Sequence, residues 1–130
     1  MSGTLHKILY VEDEADIQKI AKLALEEVGG LKVLICASGA EAVEKAAGFR
    51  PDMILLDVMM PGMDGPDTLE ALHGLPGLKD TPAVFLTAKA MPVEVERYKK
   101  LGALDVIPKP FNPMTLADRV KEIWNRHAGG

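Results

Sequence analysis

Short apolar runs alternate along the chain with segments whose apolar residues recur at helical spacing. Such runs are typical of buried strands when turn residues bound them, and the helical spacing is typical of amphipathic helices. Strands are predicted at residues 7–11, 31–36, 53–57, 83–87 and 105–108. Helices are predicted at residues 15–28, 39–47, 65–73, 92–101 and 113–126. Five strands that alternate with five helices predict an α/β fold built on a doubly wound parallel sheet.

The third predicted strand, Met53–Asp57, has four consecutive apolar residues and then a carboxylate. Because apolar and polar residues do not alternate along this strand, it is expected to lie at the centre of the sheet with both faces buried. In a flavodoxin-like sheet of order 2-1-3-4-5, the first and third strands lie side by side where the order reverses. The fifth strand is then an edge, where Pro108 removes no ladder donor. Asp57 is expected at the carboxyl end of the sheet, where such folds bind ligands.

Three other predicted strands also end in polar side chains. Glu12 and Asp13 follow the first strand, and Thr87 ends the fourth. Lys109 follows the fifth strand. Because parallel strands end at one edge of their sheet, these side chains are expected to converge with Asp57. Carboxylate oxygens suit a divalent cation and an ammonium group suits a phosphate, so the pattern predicts a site for both.

Size and composition exclude several classes of protein. The 130 residues suffice for one domain with its own core, predicted over about residues 7–126. A net charge of −4 argues against a nucleic-acid-binding surface. The apolar runs are shorter than the ~18 residues of a membrane span, and the first residues lack the apolar stretch of a secretory signal. A single cysteine, Cys36, excludes an internal disulfide, so a cytoplasmic protein is expected.

Four segments together resemble the receiver domain of two-component response regulators, the CheY-like family. Each segment alone is weak evidence for the family. All four occur in the family's order, however, and each lies at a predicted strand end. They are the pair Glu12-Asp13, the acceptor segment from Leu55 to Gly65, the strand end Leu86-Thr87-Ala88, and Lys109-Pro110-Phe111. The resemblance covers nearly the whole chain, from Lys7 to about Arg126, and implies a single receiver domain over residues 1–130.

The resemblance implies a role for each polar residue of the site. Asp57 would accept a phosphoryl group, while Lys109 neutralises the equatorial oxygens and Thr87 donates a hydrogen bond to one of them. The cation would be Mg²⁺, with Mn²⁺ as the alternative. Its ligands would be Asp13, Asp57, the backbone carbonyl of Met59, and Glu12 through water. The Lys109-Pro110 peptide bond would be cis. The protein would catalyse only its own phosphorylation and dephosphorylation, and would not be an enzyme acting on a separate metabolite.

The resemblance also implies partners. The phosphoryl donor would be a sensor histidine kinase or a histidine phosphotransfer protein, and the target would be an unknown downstream protein. Direct contact with nucleic acid is not expected. The chain is expected to be a stand-alone receiver or one cut from a longer protein. The family's usual partner face combines the fourth helix, the fifth strand and the fifth helix. Here that face is expected to offer Val93, Glu94, Arg97, Tyr98, Asp105 and Lys121.

Other interpretations compete with this one. Taken singly, each site residue is an ordinary polar residue at a strand end, and Glu12 or Asp13 could cap the first helix. A phosphatase or mutase with an aspartyl nucleophile would carry an acid where Met59 stands. A flavin-binding protein of this fold would need a phosphate loop after the first strand, and residues 12–14 are acidic. The remaining alternatives are a phosphorylation-independent interaction module and a phosphoryl sink.

One position departs from the family pattern. Many receivers carry Tyr or Phe three residues before the lysine, and Val106 stands there. In the family's usual relay that ring swings into space vacated by the threonine, and valine is too short for this movement. The signal is therefore expected to travel through the loop 88–92 and the helix that follows. Met59 and Lys89, which flank the site, match positions that tune acyl-phosphate lifetime in the family.

Overall fold

The computed structural model describes residues 4–129 and contains five strands that alternate with five helices. The strands are β1 (Lys7–Val11), β2 (Lys32–Cys36), β3 (Met53–Asp57), β4 (Ala83–Thr87) and β5 (Asp105–Pro108). The helices are α1 (Ala15–Leu23), α2 (Gly39–Phe49), α3 (Gly65–His73), α4 (Pro92–Lys100) and α5 (Leu116–Gly129). A π-helical segment, Ala24–Val28, continues α1, so the first helix covers the predicted range.

The strands form one sheet in the order β2-β1-β3-β4-β5, and every neighbouring pair is parallel. Both the predicted fold class and the predicted strand order are confirmed. In the register of the sheet, Val11 lies opposite Leu56, and Asp57 lies opposite Leu86. The carboxyl ends of β1, β3 and β4 therefore lie level with one another. Pro108 lies on the edge strand, opposite Thr87.

The core lies in two apolar layers, one on each face of the sheet. Alternate residues of each strand point to opposite faces, which separates neighbours such as Leu9 and Tyr10 into different layers. One layer packs the sheet against α1 and α5, and the other packs it against α2, α3 and α4. Every residue of β3 and β4 is buried, as expected for central strands. Among the described residues, no helix is long and apolar enough to cross a bilayer.

Two helix caps position the loops near the carboxyl edge. The Ser38 hydroxyl accepts a hydrogen bond from the Glu41 amide at 3.1 Å. The Asp64 carboxylate accepts one from the Asp67 amide at 2.9 Å. The sequence predicts N-caps at Ser38 and Asp64, and a capping box that Glu41 completes. The two bonds satisfy amides that have no partner within the first helical turn, so both predicted caps are confirmed. The Glu41 side chain accepts from the Ala37 amide at 2.6 Å, one residue before the Ser38 amide that a capping box uses.

Four helix boundaries differ from the prediction by one to three residues, at the ends of α2 and α4 and at both ends of α5, and two of these differences have a local explanation. The last helix begins at Leu116 and not at Pro113, because Asn112 holds the intervening residues in a turn. Its side chain accepts from the Met114 amide at 2.9 Å, and its carbonyl accepts from the Leu116 amide at 3.0 Å. Helix α2 continues past Gly48 to Phe49 and ends where Arg50 adopts the left-handed conformation, with φ 57°.

The β3–α3 loop depends on two glycines for different reasons. The sequence predicts turn glycines with positive φ at both Gly62 and Gly65. Gly62 has φ +78°, a conformation that suits glycine. Gly65 does not have a positive φ, so the prediction is wrong at this residue. The role of Gly65 is close packing. A β-carbon at Gly65 would lie 2.9 Å from the Asp57 carbonyl oxygen and 2.9 Å from the Val58 α-carbon. The start of α3 therefore packs directly against the end of β3.

This packing predicts opposite effects for two glycine-to-alanine substitutions. Gly65→Ala should lower the free energy of unfolding by about 1–3 kcal/mol, because the new methyl group has no space beside the β3 backbone. Gly48→Ala is the matched control, since an added β-carbon there meets no atom within 4 Å and the residue lies inside α2. It should raise the free energy by about 0.5–1 kcal/mol. Urea denaturation of both variants measures these changes, and equal effects would contradict the packing argument.

Candidate functional site

Three carboxylates meet where the strand order reverses. Glu12 and Asp13 follow the last residue of β1, and Asp57 is the last residue of β3. Because β1 pairs directly with β3, one oxygen from each carboxylate lies within 4.8 Å of the others. Glu12 is fully buried, Asp57 is 5% exposed, and Asp13 faces solvent. The N-cap of α1 is Glu14, so neither Glu12 nor Asp13 acts as the helix cap.

A lysine from the edge of the sheet pairs with two of these acids. The Lys109 ammonium lies 3.1 Å from Glu12 Oε1 and 3.4 Å from Asp57 Oδ2. Lys109 follows β5, and its amide donates to the Thr87 carbonyl at 2.9 Å, which holds the segment against β4. The Lys109-Pro110 peptide bond is cis. With all groups ionised, three negative charges face one positive charge.

Burial and the excess of negative charge both change the ionisation of Glu12. Burial, followed by the charge on Asp57, raises the pKa of Glu12 to about 7, because the hydrogen bond and charge of Lys109 and the hydrogen bond from the Glu14 amide offset these effects only in part. Burial alone would lower the pKa of Lys109, but the hydrogen bond to Glu12 and the charges of Glu12 and Asp57 raise it overall. The ammonium group therefore stays charged, while Glu12 holds a proton more readily than an ordinary carboxyl group.

The donor set fits a small divalent cation. Mg²⁺ coordinates oxygen atoms at about 2.0–2.1 Å, so two of its ligands lie at most about 4.2 Å apart. The three carboxylate oxygens, all within 4.8 Å of one another, need only a slight approach to share one ion or one of its waters. Among the described residues these acids are the group that could hold a metal, and a cation there would offset their repulsion.

Thr87 and Met59 border the acids. Thr87 is buried at the end of β4, and its hydroxyl oxygen accepts a hydrogen bond from the Lys89 amide at 3.0 Å. A hydroxyl can accept this bond and still donate its own hydrogen to another group. The Met59 amide donates to Asp57 Oδ1 at 3.4 Å, while its side chain is 68% exposed. The loop after β3 therefore contacts the carboxylate through its backbone.

Two residues around Glu12 were not among the predicted site residues. Gln18 donates its side-chain amide to the Glu12 carbonyl at 2.6 Å. The Tyr10 hydroxyl lies 3.5 Å from Glu12 Oε1, and burial, followed by the charges of Glu12 and Asp57, raises the pKa of Tyr10. A tyrosine inside a strand two residues before a buried acid was the available signal, because alternate residues share a face. The sequence gives no comparable signal for Gln18.

Comparison of the sequence with models of protein families identifies the family of this chain. The model described as the response regulator receiver domain matches residues 8–121. The chain belongs to this receiver domain family. Its receiver domain is 36% identical over 127 residues to the DNA-binding response regulator MtrA of Mycobacterium tuberculosis, covering 98% of this chain and 54% of MtrA. It is also 36% identical over 122 residues to the transcriptional regulatory protein CpxR of Escherichia coli, covering 94% of this chain and 50% of CpxR.

A solved structure supports the same assignment. The chemotaxis response regulator CheY4 of Vibrio cholerae superposes on the receiver domain with a TM-score of 0.84 and 34% sequence identity. The match covers 92% of this chain and 99% of the CheY4 chain. By contrast, the chain spans about half the length of the curated relatives it matches. The comparisons therefore identify a receiver domain of two-component signalling, and this assignment does not extend to the other half of the longer relatives.

The expected partner face of the receiver domain needs correction at two residues. Tyr98 is only 4% exposed, because its ring packs edge-on against Phe85 with ring centroids 5.5 Å apart. Lys121 donates to the Gly29 carbonyl at 2.6 Å and so lies against the end of the π-helical segment. Asp105 is paired with two arginines of α5, Arg119 at 3.3 Å and Arg126 at 3.2 Å. Val93 and Arg97 are exposed on α4, whereas Glu94 is half-buried and accepts from the Met91 amide at 3.2 Å.

The raised pKa of Glu12 predicts that the metal-free protein loses stability as the pH rises from about 5 to 8. The unfolded chain releases the Glu12 proton near pH 4.5, whereas the folded protein retains it until near pH 7, so a rise in pH through this window favours unfolding. We expect a loss on the order of 2 kcal/mol. Urea denaturation in the presence of a chelator measures it at both ends of the window.

The matched variant for this prediction is Glu12→Gln, which keeps the size and hydrogen-bonding capacity of the side chain without a titrating carboxyl group. Its stability should change much less over the same pH range. An equally steep fall in the variant would show that another group causes the pH dependence.

Proposed function

We propose that this receiver domain accepts a phosphoryl group on Asp57 from the phosphohistidine of a sensor histidine kinase or a histidine phosphotransfer protein. One observation carries the proposal: a nearly buried carboxylate at the switch point of the sheet lies 3.4 Å from a lysine ammonium and within 4.8 Å of two further acids. A solvated acid at a strand end needs no such surroundings. The phosphorylated form then presents an altered face to an unknown downstream protein.

In the proposed reaction, a carboxylate oxygen of Asp57 attacks the phosphorus in line with the bond to the donor histidine. The new bond joins this oxygen to phosphorus, and the phosphorus–nitrogen bond breaks with its electron pair passing to the imidazole. The product is an acyl phosphate, and hydrolysis by water later returns the carboxylate and inorganic phosphate. The domain thus catalyses changes to its own side chain and does not turn over a separate metabolite.

Lys109, Thr87 and the residues that would hold the cation assist the transfer. Lys109 neutralises negative charge on the equatorial oxygens, because its ammonium already lies beside Asp57. Thr87 donates its hydroxyl hydrogen to one of these oxygens while it keeps the bond from the Lys89 amide. Asp13, Asp57, the Met59 carbonyl and, through water, Glu12 would hold Mg²⁺ or Mn²⁺. When bound, this cation offsets the charge of the acids and of the incoming phosphoryl group.

The alternatives fit the geometry less well. A phosphorylation-independent interaction module would not need a half-buried lysine shared between the buried acids Glu12 and Asp57, since burying such charges is unfavourable for stability. An aspartyl phosphatase would need an acid in place of the exposed Met59 side chain. A phosphoryl sink uses the same chemistry and differs only in its partners. The domain span over residues 1–130 and a cytoplasmic location stay predictions.

The first test is the intact mass of the protein after incubation with acetyl phosphate and Mg²⁺. We expect a gain of one phosphoryl group that requires Mg²⁺ and is lost in Asp57→Ala. Asp80→Ala is the matched control, because Asp80 is an exposed acid outside the site, and it should be phosphorylated like the wild type.

Each other outcome of the mass measurement has a definite meaning. A gain that persists in Asp57→Ala would identify a different nucleophile. No gain, together with no beryllofluoride complex in the presence of Mg²⁺, would favour the phosphorylation-independent module.

The route of the signal gives a second prediction. Val106 lies in the core opposite Phe85, and a valine cannot provide a switching ring. The Thr87 hydroxyl is bonded to the Lys89 amide, so a displacement of Thr87 is transmitted directly to the loop before α4. We expect beryllofluoride to shift amide NMR signals throughout residues 88–101.

Thr87→Val is the variant for this route, since it keeps the shape of threonine and removes the hydroxyl. It should reduce those shifts severalfold while the shifts at residues 57–59 persist. Unchanged signals at 88–101 in the wild type would rule out this route.

A further inference from the structure

Tyr10 is the bulkiest of the side chains that the described core fully encloses. It lies on β1, in the apolar layer that packs against α1 and α5. A phenylalanine would fill the same volume, so packing alone does not require the hydroxyl group. A hydroxyl enclosed in an apolar layer is unfavourable unless it has a hydrogen-bond partner. The partner that the structure provides is Glu12 Oε1, at 3.5 Å.

The carboxylate of Glu12 is held differently at its two oxygens. Oε2 accepts from the Glu14 amide at 3.3 Å. Oε1 lies near two side-chain donors, the Tyr10 hydroxyl at 3.5 Å and the Lys109 ammonium at 3.1 Å. The backbone of Glu12 is fixed separately, through the bond from Gln18 to its carbonyl. The orientation of the carboxylate therefore depends on a neutral donor and a charged donor that share Oε1.

Lys109, the charged donor, also acts on Asp57 in the proposed function. Lys109 also lies 3.4 Å from Asp57 Oδ2, and a phosphoryl group on Asp57 would draw the ammonium toward its oxygens. The attraction of Lys109 for Glu12 weakens at that point. The tyrosine hydroxyl carries no charge, and its ring is fixed by the surrounding core. It can therefore hold Glu12 in place when the lysine turns away.

We propose that Tyr10 is a positioning residue for the metal site, whose hydroxyl donates to Glu12 Oε1 and fixes that carboxylate in the orientation that serves the cation. The inference rests on the proposed function, which supplies both the cation and the phosphoryl group. A separation of 3.5 Å is long for a hydroxyl and a carboxylate, which approach to about 2.5–2.7 Å when strongly bonded. We expect the contact to shorten when Mg²⁺ orders the Glu12 carboxylate, and to shorten further once Lys109 engages the phosphoryl group.

The first experiment compares Mg²⁺ affinity by titration calorimetry of the metal-free proteins with MgCl₂. Tyr10→Phe keeps the ring and removes the hydroxyl, and we expect about tenfold weaker Mg²⁺ binding. Tyr98→Phe is the matched control, because Tyr98 is the other tyrosine of the chain, is also buried, and packs against Phe85 on the opposite face of the sheet. It should bind Mg²⁺ within about twofold of the wild type.

A double-mutant cycle separates positioning from a general structural effect. If Tyr10 acts through Glu12, Tyr10→Phe should change Mg²⁺ affinity by no more than about twofold in a Glu12→Gln background. An equal loss of affinity in both backgrounds would overturn the proposal, as would unchanged affinity of Tyr10→Phe when Glu12 is present.

A spectroscopic measurement on the wild type does not depend on the folding of any variant. With tyrosine labelled by ¹³C at Cζ, the ring signals of the two tyrosines are assigned by Tyr98→Phe. Saturation with Mg²⁺ should move the Tyr10 signal and leave the Tyr98 signal in place, because only Tyr10 contacts a carboxylate of the metal site in this arrangement. A stationary Tyr10 signal at saturating Mg²⁺ would overturn the proposal.

The result for the wild type also distinguishes the two proposals. If the wild type does not bind Mg²⁺, the proposed metal site fails and this inference fails with it. If the wild type binds Mg²⁺ normally and Tyr10→Phe binds it equally well, only the role of Tyr10 is wrong.

Discussion

Repulsion between the carboxylates at the carboxyl edge of the sheet governs both the protonation of the site and the ions it can bind. Glu12 and Asp57 are both buried, and a single ammonium, that of Lys109, lies between them. One positive charge does not balance three acids, so the site favours either an extra proton or a cation. Burial and the charge of Asp57 together raise the pKa of Glu12, and the same excess of negative charge suits the donor set to Mg²⁺.

The sheet keeps these groups together despite their repulsion. Pairing of β1 with β3 places the first two acids beside Asp57, and pairing of β4 with β5 brings Lys109 to the same edge. The strands are anchored by apolar layers on both faces, and the stability of those layers offsets the unfavourable charges. Close packing of Gly65 against β3 fixes the loop that carries Met59. The apolar core therefore supports the charged site.

The same arrangement links the site to α4. The Thr87 hydroxyl bonds to the Lys89 amide, and three residues after Lys89 the helix begins. Because Val106 provides no ring, the proposed route of the signal from Asp57 to α4 runs through this loop. Tyr98 reinforces the base of this helix by packing on Phe85, a residue of the same strand as Thr87. In the proposed route, movement at the end of β4 affects the loop first and the helix afterwards.

The order of the elements, the strand order and the family could all be predicted from the sequence. Uninterrupted apolar runs such as Met53–Leu56 mark central strands, and the acids, hydroxyl and lysine follow strand ends in the chain itself. Which atoms meet follows only from the three-dimensional packing: Lys109 shares its ammonium between Glu12 and Asp57, and Tyr98 is buried. Periodicity reports which face a residue occupies. It carries no information on side-chain reach across strands, or on glycine packing such as that of Gly65, because these depend on distances between segments remote in the chain.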